Sequence, residues 1–402
     1  MTPKWKVACV TTHPIQYQAP LFRYLASDPS LDLKVFFLSD ISARRYRDPG
    51  FRADVEWDVS LLGGYAGEFI PALGRRDRLS ALRPLSYGFS KALREGHFDA
   101  LWVHGYAHQG LLRAIAAAKR ARIPVLMRGE SNLNSGSARG VVRNLKDGFM
   151  RVLVGSVDAF LAIGSLNREY WMHYGAPRDR IFAMPYAVDN AFFRARRETA
   201  RKSRDKLRFE LGLTAAQRVI LFAAKLQRRK RAVDLLAAFA RLVSDLRDSS
   251  RYCLVFVGEG EERAALEDFA RRGGLDRVRF RGFVKQTEMP RYYDLADVFV
   301  LPSEREPWGL VVNEAMNFSK PVVASVDVGA AADLVEHGRS GFVYPVGDTG
   351  ALSSWLRAVL ENEGLRTAMG NRAFDLVSKF DFEADRRGLL SALARVSPCR
   401  ES

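Results

Sequence analysis

Short apolar runs, rich in β-branched and aromatic residues, alternate along the chain with longer stretches in which apolar positions recur every three or four residues. The short runs cover residues 6–11, 33–38, 100–103, 124–127, 159–163, 219–223, 253–257, 278–281, 298–301 and 321–324. Such near-continuous runs suit strands buried on both faces. The periodic stretches, among them 110–120, 232–246, 261–272 and 352–363, predict helices with one apolar face. Strand and helix taking turns over the whole length predict parallel sheets covered on both sides. The alternation breaks once, between Pro185 and Leu213, in a charged, arginine-rich stretch that includes the turn-like Tyr186-Ala187-Val188-Asp189-Asn190. That break predicts a linker. The expected fold class is therefore α/β, with two Rossmann-like domains over residues 1–190 and 205–381 and a final helix over 382–402.

Composition narrows the picture. A chain of 402 residues suggests two or three domains, and 48% hydrophobic residues suffice for their cores. No signal-like apolar segment follows Met1, and no unbroken run of about 18 apolar residues occurs, so a cytoplasmic protein without a spanning helix is expected. Cys9, Cys253 and Cys399 are scattered, and the six histidines form no HExxH pattern, which argues against a disulfide framework or a structural metal. Charge is the unusual property: 62 Lys+Arg against 46 Asp+Glu leave +16, with clusters at residues 44–47, 75–78, 194–208 and 228–231. Such a surface attracts polyanions. With no recognisable nucleic-acid module, an anionic membrane surface or a diphosphate-bearing substrate is the expected partner, and nucleic acid is not.

Candidate chemistry concentrates in residues 301–316, Leu-Pro-Ser-Glu-Arg-Glu-Pro-Trp-Gly-Leu-Val-Val-Asn-Glu-Ala-Met. In open α/β sheets ligands bind beyond the carboxyl ends of strands, and this segment follows one. A helix opening near Leu310 after Gly309 would offer main-chain N–H groups to an anion, and glycine lets a phosphate approach. Glu306 and Glu314 stand eight positions apart. A fully helical span would separate their backbones by about 12 Å. A hydrolytic carboxylate pair needs its groups roughly 5 to 9.5 Å apart, so two contacts on one extended ligand fit better. Two solvated glutamates on a helix remain the plainer alternative.

Glu306 and Glu314 with the Pro-Trp-Gly-Leu-Val between them resemble the E-x7-E motif of the retaining GT-B glycosyltransferases of family 4. Phe222-Ala223-Ala224-Lys225-Leu226 followed by Lys230-Arg231 is similar to that family's phosphate-binding motif, Phe256-Val257-Gly258-Glu259-Gly260 to its V-G-x-G turn, and Phe280-Arg281-Gly282-Phe283-Val284 to its base loop. The chain departs from the pattern at Ala224 and Arg231, where the family has glycine. The resemblance implies a GT-B fold, two Rossmann-like domains facing each other across a cleft, with the final helix packing back onto the first. It also implies roles. Lys225 and Lys230 would grip the donor diphosphate, Glu306 the sugar hydroxyls, Gly309, Leu310 and Val311 sugar and phosphate, Glu314 the ribose, and Val284 the base. Lys225, Lys230 and Glu306 would thus be catalytic, with His104 facing the donor sugar from Asp99-Ala100-Leu101-Trp102-Val103-His104-Gly105.

The amino-terminal half is more diverged. Residues 11–18, Thr-Thr-His-Pro-Ile-Gln-Tyr-Gln, stand where the family has a glycine-rich loop. His104 is as readily a satisfied core histidine, and Arg128-Gly129-Glu130 as readily an internal ion pair. The Gly258-Glu259-Gly260 turn lacks the third glycine of a dinucleotide site, and its glutamates oppose a pyrophosphate, so a tight structural turn is expected. The function implied is a metal-independent, cofactor-free hexosyltransferase moving sugar from a nucleoside diphosphate donor to a hydroxyl acceptor: a lipid-linked glycan, a lipid or a small molecule. A sugar-nucleotide epimerase and a non-catalytic polyanion-binding protein are the alternatives. Residues 141–153 mix cationic and apolar positions at helical spacing, which suits either an interfacial helix on the inner face of the membrane or a core-facing one.

Overall fold

The computed structural model describes residues 4–48, 50–77, 79–136, 140–244 and 249–397. Arg78, Cys399 and the last residues of the expected helix 382–402 lie outside them. The chain forms two compact units, one of residues 1–46, 59–187 and 381–402, the other of residues 47–58 and 188–380.

The first unit is built on a seven-stranded sheet in the order Ile181–Ala183, Ala159–Ala162, Val125–Arg128, Ala100–His104, Trp5–Thr11, Leu31–Phe37, Ala66–Phe69. All neighbours run parallel. Residues alternate between its faces as the pleat requires. Val7, Cys9, Val35 and Trp102 pack on one side with Leu389 and Leu393, whereas Ala8, Val10, Leu101 and Val103 pack on the other with Ala114 and Ile115. The helix Phe382–Val396 thus closes one face of this sheet. It is pinned by Asp385, whose carboxylate lies 3.0 Å from the guanidinium of Arg128, both groups buried. Arg128 also donates to the carbonyls of Met184 and Pro185.

The second unit holds a six-stranded parallel sheet in the order Val278–Phe280, Tyr252–Val257, Arg218–Ala223, Val298–Leu301, Val322–Ser325, Gly341–Tyr344. Helices Ala232–Ser244 and Thr349–Glu361 share the apolar core on one of its faces. Every strand expected from the sequence is present, shifted by no more than two residues at either end. Cys9 and Cys253 are buried, and burial pushes both thiols up, to about 11 for Cys253, so neither is reactive.

Two expectations are corrected. The stretch read as a linker forms three short helices, Asn190–Ala195, Arg197–Lys202 and Arg204–Glu210, within the second unit. Its arginines are structural: Arg204 donates to the carbonyls of Asp294 and Leu295, Arg208 to those of Thr214 and Gln217, and Arg194 stacks 4.7 Å from the Phe374 ring. A chain this charged was readable as loop only because helices of six or seven residues show no apolar period. The second correction concerns residues 47–58, which leave the first unit and join the second.

Candidate functional site

In the second sheet the chain builds outward from Arg218–Ala223 through Tyr252–Val257 to Val278–Phe280, then returns to Val298–Leu301 on the other side. The order therefore reverses between Arg218–Ala223 and Val298–Leu301, the switch point beside which open α/β sheets bind ligands. The loops leaving these two strands are the ones that hold Lys225, Lys230, Glu306 and Glu314.

Lys230 and Glu306 meet directly in an ion pair, both more than nine-tenths buried. Arg229 Nη1 adds a second contact at 3.0 Å to the same Glu306 oxygen. Burial lowers the Lys230 pKa and the positive neighbours Arg229 and Lys225 lower it further, against the opposing pull of Glu306. The backbone of Glu306 is clamped on both sides: its N–H donates to Asp327 at 3.1 Å and its carbonyl accepts from Gly329 at 3.0 Å. Gly309 has φ +95°, and a Cβ there would stand 2.8 Å from Leu301 Cδ2, so glycine is required at this bend. The helix that follows spans only Val311–Met316, so the Glu306–Glu314 spacing is loop plus helix rather than helix throughout. Glu314 is buried and accepts from Gln286 Nε2 at 3.2 Å and from the Tyr293 hydroxyl.

The lysine loop is shaped by its neighbours. Arg231, at the position where the family has glycine, adopts φ +49°. A left-handed conformation costs a non-glycine residue about 1–2 kcal/mol. Ion pairs to Asp234 and, at 3.3 Å, to Glu304 hold it there. Gly258 and Gly260 serve the tight turn expected: added Cβ atoms would fall 2.0 and 2.3 Å from the carbonyl oxygens of Ala224 and Leu226. The turn thus presses on the backbone at either side of Lys225.

Lys225 does not reach Glu306. Its ammonium binds both carboxylate oxygens of Asp48, at 2.8 and 2.9 Å, and lies 4.6 Å from the Phe51 ring centroid. Lys225 and the N–H groups of Gly50 and Phe51, overcoming the effect of burial, hold the Asp48 carboxyl below its ordinary range. Phe51 and Trp57 pack edge-on against Phe283, beside Val284, at centroid distances of 5.0 and 6.1 Å, and Asp58 accepts from the Thr287 N–H at 3.2 Å. Residues 47–58 thus form a strap over Lys225 and the loop expected to hold the base. Sequence reasoning missed the strap, Arg229, Gln286 and Tyr293; only the arginine carried a signal, as part of a basic cluster.

The first unit has its own switch point, between Trp5–Thr11 and Ala100–His104. A cavity of about 480 Å³ opens there, lined in part by Thr11, Gln18, His104, Tyr106, Glu130 and Ser131. His104 ends its strand with 8% of its surface exposed, and neither ring nitrogen has a hydrogen-bond partner among the described residues. Its Nε2 stands 3.7 Å from Glu130 Oε1. Burial, and to a lesser extent Arg128, lower its pKa despite the carboxylate. Burial would raise the Glu130 carboxyl, but His104, the Tyr186 hydroxyl bonded at 2.5 Å and Arg128 together hold it below its ordinary range. His108 is structural: its Nδ1 accepts from Gly110 N–H at 2.9 Å and caps the helix Gln109–Arg120. No group of three metal-ligating side chains occurs among the described residues.

Two parallel α/β sheets, each with a switch point, define a GT-B protein, and HepE of Anabaena, solved with UDP and glucose, shares this architecture with a TM-score of 0.72 at 19% identity over 97% of this chain and 99% of that one. Residues 203–375, within the second unit, match the family glycosyl transferases group 1. N-acetyl-alpha-D-glucosaminyl L-malate synthase of Bacillus anthracis is 30% identical over 173 residues, 43% of this chain and 44% of that protein. D-inositol 3-phosphate glycosyltransferase of Xylanimonas cellulosilytica is 28% identical over 86% of this chain and 84% of its own length. The stretch matched at 30% identity or more spans about half the length of the curated relatives concerned.

Proposed function

We propose that this protein is a retaining, metal-independent glycosyltransferase that moves a hexose from a nucleoside diphosphate sugar to a hydroxyl acceptor. The observation that carries the reading is the buried Lys230–Glu306 pair, joined by the exposed Arg229 and followed along the same loop and helix by the buried Glu314, at the switch point of the second sheet. The bond between the sugar carbon and the β-phosphate oxygen breaks with its electron pair on the phosphate, the acceptor oxygen bonds to that carbon, and the hydroxyl proton leaves with the nucleoside diphosphate. Lys225 and Lys230 offset that growing charge, the electrostatic role that dominates many such steps. Glu306 accepts hydrogen bonds from the sugar and Glu314 from the ribose, with Gln286 and Tyr293 orienting the latter. Gly309, Leu310 and Val311 line the sugar and phosphate path, and Val284 lies along the base. His104, kept neutral by burial, has a free ring nitrogen to offer a hydroxyl of the donor sugar. The acceptor is a lipid-linked glycan, a lipid or a small molecule, and Glu130, Ser131 and Gln18 in the first unit's cavity suit a polyhydroxyl group.

A membrane-bound acceptor is favoured by the helix Gly140–Gly155. Val141, Leu145, Phe149 and Val152 recur along one stripe and are 43–74% exposed, while Met150, Leu153 and Val154 face the core. Arg143 and Arg151 flank the stripe, and the chain carries +16, so an anionic bilayer suits both its apolar and its charged groups. No helix among the described residues is long and apolar enough to cross a membrane. Thermal-shift screening against UDP-, GDP- and ADP-sugars tests the donor. A ligand at about 100 times its dissociation constant stabilises by roughly 2.7 kcal/mol, and no shift with any of them defeats the proposal. Co-sedimentation with anionic but not neutral vesicles, lost at high salt, is expected for the membrane arm; no binding at low salt rejects it.

A further inference from the structure

A recess of about 520 Å³ lies in the second unit at the end of the sheet opposite the switch-point loops, where the chain enters the strands Val298–Leu301 and Val322–Ser325. Five cations line it: Arg197, Arg201, Arg204, Lys320 and Arg366. Three carboxylates accompany them, and two are already engaged. Glu198 pairs with Lys202 at 2.7 Å. Asp297 is held by Arg218 at 3.4 Å, Arg366 at 3.5 Å and the Val219 N–H at 2.8 Å. The third, Asp294, stands 3.7 Å from Arg204, and its Oδ2 accepts no hydrogen bond among the described residues.

Arg197, Arg201 and Lys320 are left without a carboxylate partner among the described residues. Lys320 donates a single hydrogen bond, 2.9 Å to the Asp294 carbonyl, which leaves two ammonium protons unused. Arg197 is held in position by the Ser319 hydroxyl at 3.1 Å and by the Phe374 ring, 5.0 Å away. The buried Nε of Arg204 has no hydrogen-bond partner among the described residues. Burial lowers the Lys320 pKa to about 8, outweighing the opposing pull of Asp294 and Asp297, with smaller downward pushes from Arg204 and Arg197. An ammonium so placed gains from an incoming anion. Forked guanidinium groups beside a point-charge ammonium suit a phosphoryl group. The space exceeds what one phosphate fills, and Ser319, Thr367 and Asn371 on its wall offer hydrogen bonds to a polar remainder.

We infer that this recess is a binding site for the phosphate monoester of a small polar molecule, distinct from the donor loops, with Arg197, Arg201 and Lys320 as its phosphate-binding groups. Its occupant bears on the donor side by a short route. Asp294 adjoins Tyr293, whose hydroxyl bonds Glu314, and Phe318 in the recess wall packs 5.9 Å from the Tyr293 ring.

Calorimetric titration of the full chain with glucose 6-phosphate tests the site, with inorganic phosphate and phosphatidylglycerol vesicles as separate arms. Saturable binding is expected to persist in Lys230→Ala and with UDP present, whatever the fate of the transferase reading. It is expected to weaken about tenfold or more in Arg197→Met/Lys320→Met, the loss of charged hydrogen bonds. Arg201→Gln changes an exposed side chain that makes no contact needed for folding, and is expected to weaken binding several-fold. Binding lost in Lys230→Ala but intact in the recess variants overturns the inference, as does the absence of saturable binding at millimolar glucose 6-phosphate. Equal affinity for inorganic phosphate, or binding to the vesicles alone, also overturns it, because a monoester site must use the organic part.

Discussion

The loops at the two switch points treat their polar groups in opposite ways. In the second unit the charged groups satisfy one another: Lys230 and Arg229 hold Glu306, Asp48 holds Lys225, and Tyr293 and Gln286 hold Glu314. In the first unit the cavity is lined by polar atoms that have no hydrogen-bond partner among the described residues, both ring nitrogens of His104 and the side-chain nitrogen of Gln18. A ligand entering the second unit must displace internal partners, so its net gain is a difference between two sets of strong contacts. One entering the first completes hydrogen bonds that the protein alone leaves unmade, each worth about 1–3 kcal/mol when buried. A charged ligand suits the former and a neutral, hydroxyl-bearing one the latter.

The comparison breaks first at the buried pair. Glu306→Gln and Lys230→Ala are each expected to lower sugar transfer by about 10²–10³-fold, the usual cost of losing one charge-stabilising group. Circular dichroism should remain native, and near-normal kcat in both variants would show that these residues do not touch the reaction. Next comes His104→Ala, expected to lower kcat/KM by up to about 10²-fold through lost positioning while leaving UDP affinity unchanged. The same ring sharpens the contrast by NMR titration. Its folded pKa lies below the ordinary 6.5, so the unfolded chain takes up the proton first. Its contribution to stability is therefore complete above pH 6.5 and lost as the pH falls from there through the folded value. A ring that titrates at or above 6.5 contradicts the buried, neutral state.

A smaller effect is expected at the strap. Asp48→Asn releases Lys225 from its carboxylate and should tighten UDP binding by about fivefold, the equivalent of about 1 kcal/mol. Weaker binding instead would make the strap a ligand contact rather than a competitor. The smallest effect is none: transfer should survive EDTA, since lysines and arginines carry the charge. Abolition by chelator with rescue by magnesium or manganese would overturn the metal-independent reading.

Much of this was legible in the residue order, and the exceptions share a cause. The ten strands with strong apolar runs announced themselves. The edge strands Ala66–Phe69 and Ile181–Ala183 did not, being short and partly exposed, and Gly341–Tyr344 is only four residues long. The charged residues of the second sheet's switch-point loops were visible by spacing, because one loop carries each group. Their partners were not. Asp48 lies 177 positions from Lys225, and Tyr293 lies 21 from Glu314, separations over which no local period operates. Arg231 was visible as a departure from glycine, yet only its backbone angle reveals what the substitution demands.

The buried pair of Arg128 and Asp385 reaches beyond statics into biosynthesis. The first unit's sheet is finished by residue 187, but the helix that covers one of its faces and neutralises Arg128 is translated only after the whole of residues 188–380. At about 5–20 residues per second the ribosome needs on the order of 10–40 s for that interval. Throughout it, Leu33, Val35 and Trp102 have no Leu389 or Leu393 to meet, and a guanidinium sits without its counter-charge. The second unit completes its own core only as that interval ends, with Leu352, Leu356 and Met369. Chains truncated before residue 382 and released from the ribosome should therefore hold a protease-resistant second unit and a first unit that chaperones still bind.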